Sequence, residues 1–182
     1  PINSSRQNIA TEQRDSAGFS VSSAGDVDGD GKDDLIIGYE SREFTSSSTA
    51  GGANLITSAD LSAADAADGL VDGQIDLGFV NEQSTSYEFV GAEIGDQAGY
   101  SVASAGDIDG DGKDDLIIGA PGMDLGGNDT GGGYIIAAAD LTTADAADGT
   151  IDGLIDLNFI EDQPSSYKFR GTARDGEAGF SV

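Results

Sequence analysis

The 182-residue chain carries 34 acidic against 8 basic residues, a net charge of −26, with 37% apolar residues and 28 glycines. A surface this negative repels phosphate, which excludes nucleic acid as a partner and argues against adsorption to an anionic membrane. With neither cysteine nor histidine, disulfides, thiolate metal sites and Ser/His/Asp or Cys/His catalytic arrangements are all ruled out.

Strong net charge with few aromatics also fits disorder. Regular apolar runs (LIIG, NLIT, YIIAAA, YEFV, YKFR) argue instead for a folded chain whose charge is balanced by counter-cations. In chain order, residues 1–17 align with the end of a repeating unit, RQNIATEQRDSAG against YEFVGAEIGDQAG. FSVSSAG follows as a strand with period-two alternation, then the acidic loop DVDGDGKDD, then LIIG as a short buried strand. A Gly-rich connection leads to ANLIT, and SADLSAADAADG reads as a short Ala-rich helix, capped by Asp or Ser and stopped by Gly69 at C′. VDGQIDLGFV then runs through a polar loop to YEFVG, the last strand of the unit.

The same order returns after 81 residues at the acidic loop (Asp26 and Asp107) and after 80 residues later in the unit (Asp60 and Asp140, Phe89 and Phe169). The lost residue falls in the connection between Gly38 and Asp60, where a surface loop absorbs length change. GFSV at Gly179 opens a third copy. The expected organisation is therefore the end of a preceding unit (1–17), one unit at 18–98, a second at 99–178 and the start of a third at 179–182, an excerpt of something longer. Four short strands per repeat with turn-rich connections predict an all-β fold of propeller-like antiparallel blades with a short helical insert. Two units cannot close a ring, so the expectation is a fragment of a larger propeller or one completed by association of copies.

The acidic loop packs five aspartates into residues 26–34. With Asp26, Asp28, Asp30, Lys32 and Asp34 at loop positions 1, 3, 5, 7 and 9, alternate residues on a tightly curled backbone converge on one centre. Three carboxylates, the Lys32 carbonyl and the closing Asp34 make a shell of hard oxygens suited to calcium, with Gly31 at the sharp turn. Asp107, Asp109, Asp111, the Lys113 carbonyl and Asp115 repeat it, with Gly112 at the turn. The expectation is one Ca2+ per repeat, two in the chain. The spacing begins like an EF-hand loop, but position 12 is Ile37 or Ile118 inside a strand, so the ninth-position Asp is the last ligand and the frame is a hairpin. Asp33 and Asp114 at position 8 are expected to point away from the ion as solvated or hydrogen-bonding groups.

At these residues the chain resembles the FG-GAP repeat family, the calcium-bearing blades of integrin α-subunit propellers and of bacterial secreted proteins. AGYSVASAGDIDGDGKDDLIIGAP follows the family pattern nearly throughout, and AGFSVSSAGDVDGDGKDDLIIG does so up to its end, where Tyr39-Glu40 replace Ala-Pro. Ala17 and Ala98 stand where the family has Phe, with Phe19 and Tyr100 supplying an aromatic two residues later. The resemblance implies a non-enzymatic, calcium-binding structural repeat of an extracellular or bacterial cell-surface protein. Its implied roles are adhesion, matrix or filament assembly and protein interaction. The implied partners are calcium, neighbouring repeats or copies of the chain, and a protein or glycan surface ligand. The alternative is an accessory propeller of a secreted hydrolase whose catalytic domain lies elsewhere.

Two weaker signals have bland explanations. Asp68, Asp72, Asp76 and their counterparts Asp148, Asp152, Asp156 are candidates for a second ion, but they lack the register of an EF-hand loop, and a helix stop and a turn explain them as well. The run GGNDTGGG (126–133) lacks the Gly-Lys-Ser/Thr of a P-loop and fits a hairpin connection.

Overall fold

The computed structural model describes residues 16–40, 50–124, 130–173 and 176–182. Residues 1–15, 41–49, 125–129 (including the first four of the GGNDTGGG run) and 174–175 lie outside them. In the first unit β1 (Ser20–Gly25), β2 (Asp34–Tyr39), β3 (Gly52–Ile56) and β4 (Tyr87–Val90) pair antiparallel in chain order. In the second, β5 (Ser101–Gly106), β6 (Asp115–Ala120) and β7 (Gly132–Ile136) repeat the meander, which β9 (Tyr167–Arg170) completes. The chain is thus mostly β, two sheets with few and short helices, as expected. Ile36, Leu55 and Phe89 of the first sheet and Leu116, Ile118 and Ile136 of the second are fully or almost fully buried in one shared apolar cluster.

The units join by contacts that recur. Ser20 Oγ donates to the Gly99 carbonyl at 2.8 Å and Ser101 Oγ to that of Gly179 at 2.9 Å. Phe19, Tyr100 and Phe180 form a ladder of tilted rings, each centroid 4.8 Å from the next. Gly99 must be glycine: its φ is +80°, and a Cβ there would lie 1.8 Å from the Gly52 carbonyl oxygen.

Three local expectations change. The helices α1 (Leu61–Asp65) and α2 (Leu141–Asp145) are present, but Asp60 and Asp140 do not cap them through their side chains. Both residues have helical backbone (φ −93°, ψ −7° at Asp60), whereas a capping side chain needs an extended one. The Asp60 carboxylate instead accepts from the Thr85 amide (2.7 Å) and from the hydroxyls of Ser84, Thr85 and Ser86. Asp140 likewise accepts from the Ser165 amide and the Ser166 hydroxyl, so each aspartate pins the turn that leads into β4 or β9. Burial works against the Asp60 charge, but this set of donors outweighs it and holds the carboxyl below its usual range.

Second, the loop before the last strand is structured. Leu77–Glu82 and Leu157–Asp162 are 3-10 helices, capped by Asp76 and Asp156. In the second unit the segment just before is a strand, β8 (Leu154–Asp156), which pairs parallel with β4 of the first unit. The first sheet therefore has five strands, ordered β1-β2-β3-β4-β8, rather than four. The physical reason is that β4 offers an open edge, on which β8 places Ile155 opposite Phe89, both fully buried. The Glu88 amide donates to the Gly153 carbonyl (2.8 Å), and Asn158 Nδ2 to that of Ala92 (3.1 Å).

Third, the Tyr39 that replaces the family's alanine is buried and donates its hydroxyl to the Phe89 carbonyl at 3.1 Å. A Cβ at Gly52 would sit 2.6 Å from that hydroxyl, and a Cβ at the equivalent Gly132 would sit 2.6 Å from the Met123 sulfur. Tyr39 in one unit and Met123 in the other fill the same space.

Truncating Ile155 to alanine is expected to cost about 2–5 kcal/mol, the range for a fully buried Ile. Denaturant unfolding checks it; a loss below 1 kcal/mol, roughly the cost of a surface change, would show that β8 does not hold the first sheet.

Candidate metal centre

The acidic loops lie between β1 and β2 and between β5 and β6. Their glycines allow the curl: Gly29, Gly31, Gly110 and Gly112 all have φ between +81° and +92°. Asp26 accepts from the amides of Gly29 (2.8 Å) and Gly31 (3.0 Å), and Asp28 from that of Asp30 (2.9 Å). Asp107 and Asp109 do the same with Gly110, Gly112 and Asp111. The amides thereby orient these carboxylates within the loop, Asp26 and Asp28 partly buried and Asp107 and Asp109 exposed.

Asp34 and Asp115 are buried and open β2 and β6. One oxygen of Asp34 accepts from the Val27 amide inside the loop (2.9 Å), the other from the Ser58 amide after β3 (2.8 Å). Asp115 bridges the amides of Ile108 and Ala138, each at 2.9 Å. Burial pushes both carboxyls above their usual range, with the charge of Asp28 or Asp109 adding to it and the amides opposing it.

Asp26, Asp28 and Asp34 each bring a carboxylate oxygen within 4.8 Å of the others, and so do Asp107, Asp109 and Asp115. Two oxygens bound to one calcium at about 2.3–2.6 Å can be no more than about 5 Å apart. Each trio therefore has the spacing and the hard-oxygen character that a calcium ion takes. Asp30 is held differently: Lys32 Nζ (3.1 Å) and Ser58 Oγ (2.9 Å) donate to one of its oxygens and the Lys32 amide to the other. These partners, Lys32 foremost and then Ser58, hold its carboxyl below the usual range. Asp111 accepts from the Lys113 amide at 2.8 Å.

The position-8 residue Asp114 takes part in a contact that local spacing does not reveal. Its carboxylate accepts from the Asp26 amide (2.9 Å), and its own amide donates to the Asp26 carbonyl (3.0 Å), so the second loop grips the first. The contact needs Gly25, where a Cβ would lie 2.1 Å from the Asp114 carboxylate. The aspartates of the two inserts serve turns instead. Asp68, Asp72, Asp76, Asp148, Asp152 and Asp156 each accept from the amide two residues on. Among the described residues, carboxylate trios of this kind form at the two acidic loops and not in the inserts.

A family model described as FG-GAP repeat matches residues 17–52 and 98–136, two spans that each run from the first strand of a unit through the acidic loop to its third strand. These two spans are similar to FG-GAP repeats. Both carboxylate trios lie inside the matched spans. None of the curated proteins compared with the chain matches it. No helix among the described residues is long and apolar enough to cross a membrane.

Two outcomes are expected. Asp114→Ala should lower stability by about 1.5–3 kcal/mol, the worth of a hydrogen bond to a charged group, while Asp114→Asn, which keeps an acceptor, loses less; calorimetric melting compares them. Asp34, Asp115 and the buried Asp96, whose carboxyl is raised by burial and by Glu93, all bind protons more tightly folded than unfolded. Their ionisation therefore costs stability as pH rises from the ordinary carboxylate range through their raised values. In metal-free buffer the melting temperature should rise from neutral pH toward about pH 5. Asp60, shifted the other way, loses its contribution only as pH falls below the ordinary aspartate range.

Proposed function

We propose that the chain is a calcium-stabilised, non-enzymatic segment of a secreted or cell-surface bacterial protein, its sheets serving as β-propeller blades in adhesion, matrix or filament assembly. The observation that carries this reading is the pair of carboxylate trios at equivalent places in the two spans similar to FG-GAP repeats, each anchored by a buried aspartate at the mouth of a strand. Asp26, Asp28 and Asp34 would hold one ion and Asp107, Asp109 and Asp115 the other. Asp30 and Asp111, with the carbonyls of Lys32 and Lys113, complete the two shells. A bound calcium supplies positive charge where carboxylates otherwise repel one another.

The chain's own residues do the rest. Backbone amides orient the loop carboxylates, and Asp34 and Asp115 tie each loop to the segment after the third strand of its sheet. Asp114 links one loop to the next. Stabilisation follows mass action: at a hundredfold excess over Kd each site adds about 2.7 kcal/mol. Extracellular modules of this type bind at roughly 10⁻⁴ to 10⁻³ M, which suits a protein that folds after export. The absence of histidine and cysteine supports a non-catalytic role.

Isothermal titration with calcium should give two binding events. Asp109→Ala and Asp111→Ala should each abolish one of them and lower the melting temperature in calcium but not in chelator. No heat of binding, or equal losses with and without calcium, would refute the reading.

A further inference from the structure

The first acidic loop is held from outside its own unit. Asp26, its first carboxylate, has both side-chain oxygens engaged within the loop, one by the Gly29 amide (2.8 Å) and one by the Gly31 amide (3.0 Å). Its main chain is engaged by the second unit. Asp114 Oδ2 accepts from the Asp26 amide at 2.9 Å, and the Asp114 amide donates to the Asp26 carbonyl at 3.0 Å. All four polar groups of Asp26 are therefore fixed, two by its own loop and two by the next.

Two glycines leave room for this grip. Gly25 sits where the β1–β2 register shifts, and its missing side chain admits the Asp114 carboxylate. At Gly29, between Asp28 and Asp30, a Cβ would meet Lys113 Cε at 3.3 Å, so the stem of Lys113 lies over the turn. Residues 26 and 29 of the first loop thus bear on residues 113 and 114 of the second.

Those gripping residues belong to the second carboxylate cluster. Asp114 stands between Lys113, whose carbonyl is expected in the second shell, and Asp115, the buried member of the second trio. Asp115 is itself pinned by the amides of Ile108 and Ala138. One peptide bond on either side joins Asp114 to the second cluster, and two hydrogen bonds join it to the first. A shift of residues 113–115 that spoils one cluster cannot avoid moving Asp26 in the other.

Given the calcium reading above, we propose that Asp114 is a positioning residue of the first metal site, and that through it the two sites bind calcium with positive cooperativity. With the second loop filled, residues 113–115 are already ordered, and Asp114 keeps Asp26 in place at little further entropic cost. The reverse holds with equal weight, because coupling between two sites is reciprocal. Direct repulsion between two bound cations acts the other way and is screened by salt. The sign of the cooperativity therefore tells the two effects apart.

Calorimetric titration of the full chain with calcium measures it. Asp109→Ala leaves the first site and Asp28→Ala the second, so each gives one single-site constant. Independent sites would make the overall constant of the wild-type chain the product of those two. It should instead exceed the product by about tenfold, within the usual range of coupling between sites. The same three titrations on an Asp114→Ala background should show no excess, whereas Asp114→Asn, which keeps an acceptor for the Asp26 amide, should retain most of it. A brace that only stabilised the fold would lower the melting temperature and leave the excess intact. Circular dichroism checks folding. Should Asp114→Ala fail to fold, hydrogen exchange takes its place: in Asp28→Ala, calcium should still slow exchange of the Asp26 amide. An overall constant equal to or below the product, an excess that survives Asp114→Ala, or an Asp26 amide that calcium leaves unprotected would each overturn the proposal. Two independent binding events would overturn the coupling alone, whereas no binding at all would remove the calcium reading with it.

Discussion

Asp34 and Asp115 sit where an acidic loop turns into a strand, buried and carrying a charge that the interior does not welcome. Removing a carboxylate from water costs several kcal/mol unless donors replace the lost solvent. Here the replacement comes from two directions, an amide of the loop and an amide of the segment beyond the third strand. Satisfying one side chain thus fixes the loop's curl and the position of the following hairpin together. It also draws two further aspartates to within 4.8 Å, which adds repulsion that amides only partly relieve and that a divalent cation would relieve fully.

The tie extends beyond one unit. Asp114 reaches back to Asp26, Ser20 and Ser101 reach forward to the next unit's backbone, and β8 closes the edge of β4. A contact that recurs at fixed spacing makes the stability of each repeat depend on its neighbours, as in a one-dimensional array. Single units of this chain are accordingly poor folding units, since Phe89 and Ile155 come from different units, face each other across β4 and β8 and are both fully buried.

Much of this was legible from residues alone. The alternation in FSVSSAG, the apolar run LIIG and the aspartates and glycines of the acidic loops located several strands and both carboxylate clusters. Other features were hidden because their cause is distant in sequence. Leu154–Asp156 differs from Gln74-Ile75-Asp76 only in Leu for Gln; it is a strand because an edge from another unit lies beside it. Asp60 has the composition of a helix cap, but its partners are Ser84, Thr85 and Ser86. Asp114 looks like a solvated eighth residue until the preceding loop is placed next to it. Composition and period report what a segment prefers; which neighbour satisfies it is a property of the packed whole.

Tyr39 and Met123 fill one equivalent space from different points along the chain. Duplicated gene segments are prone to recombine with each other, and the two units resemble one another closely enough to do so. A crossover falling between the two contributing positions would yield a hybrid that inherits both bulky groups or neither. One product would be overfilled and the other hollow. Tyr39 and Met123 are thus alternatives for one space, and a unit is well packed with one of them and not with both or neither.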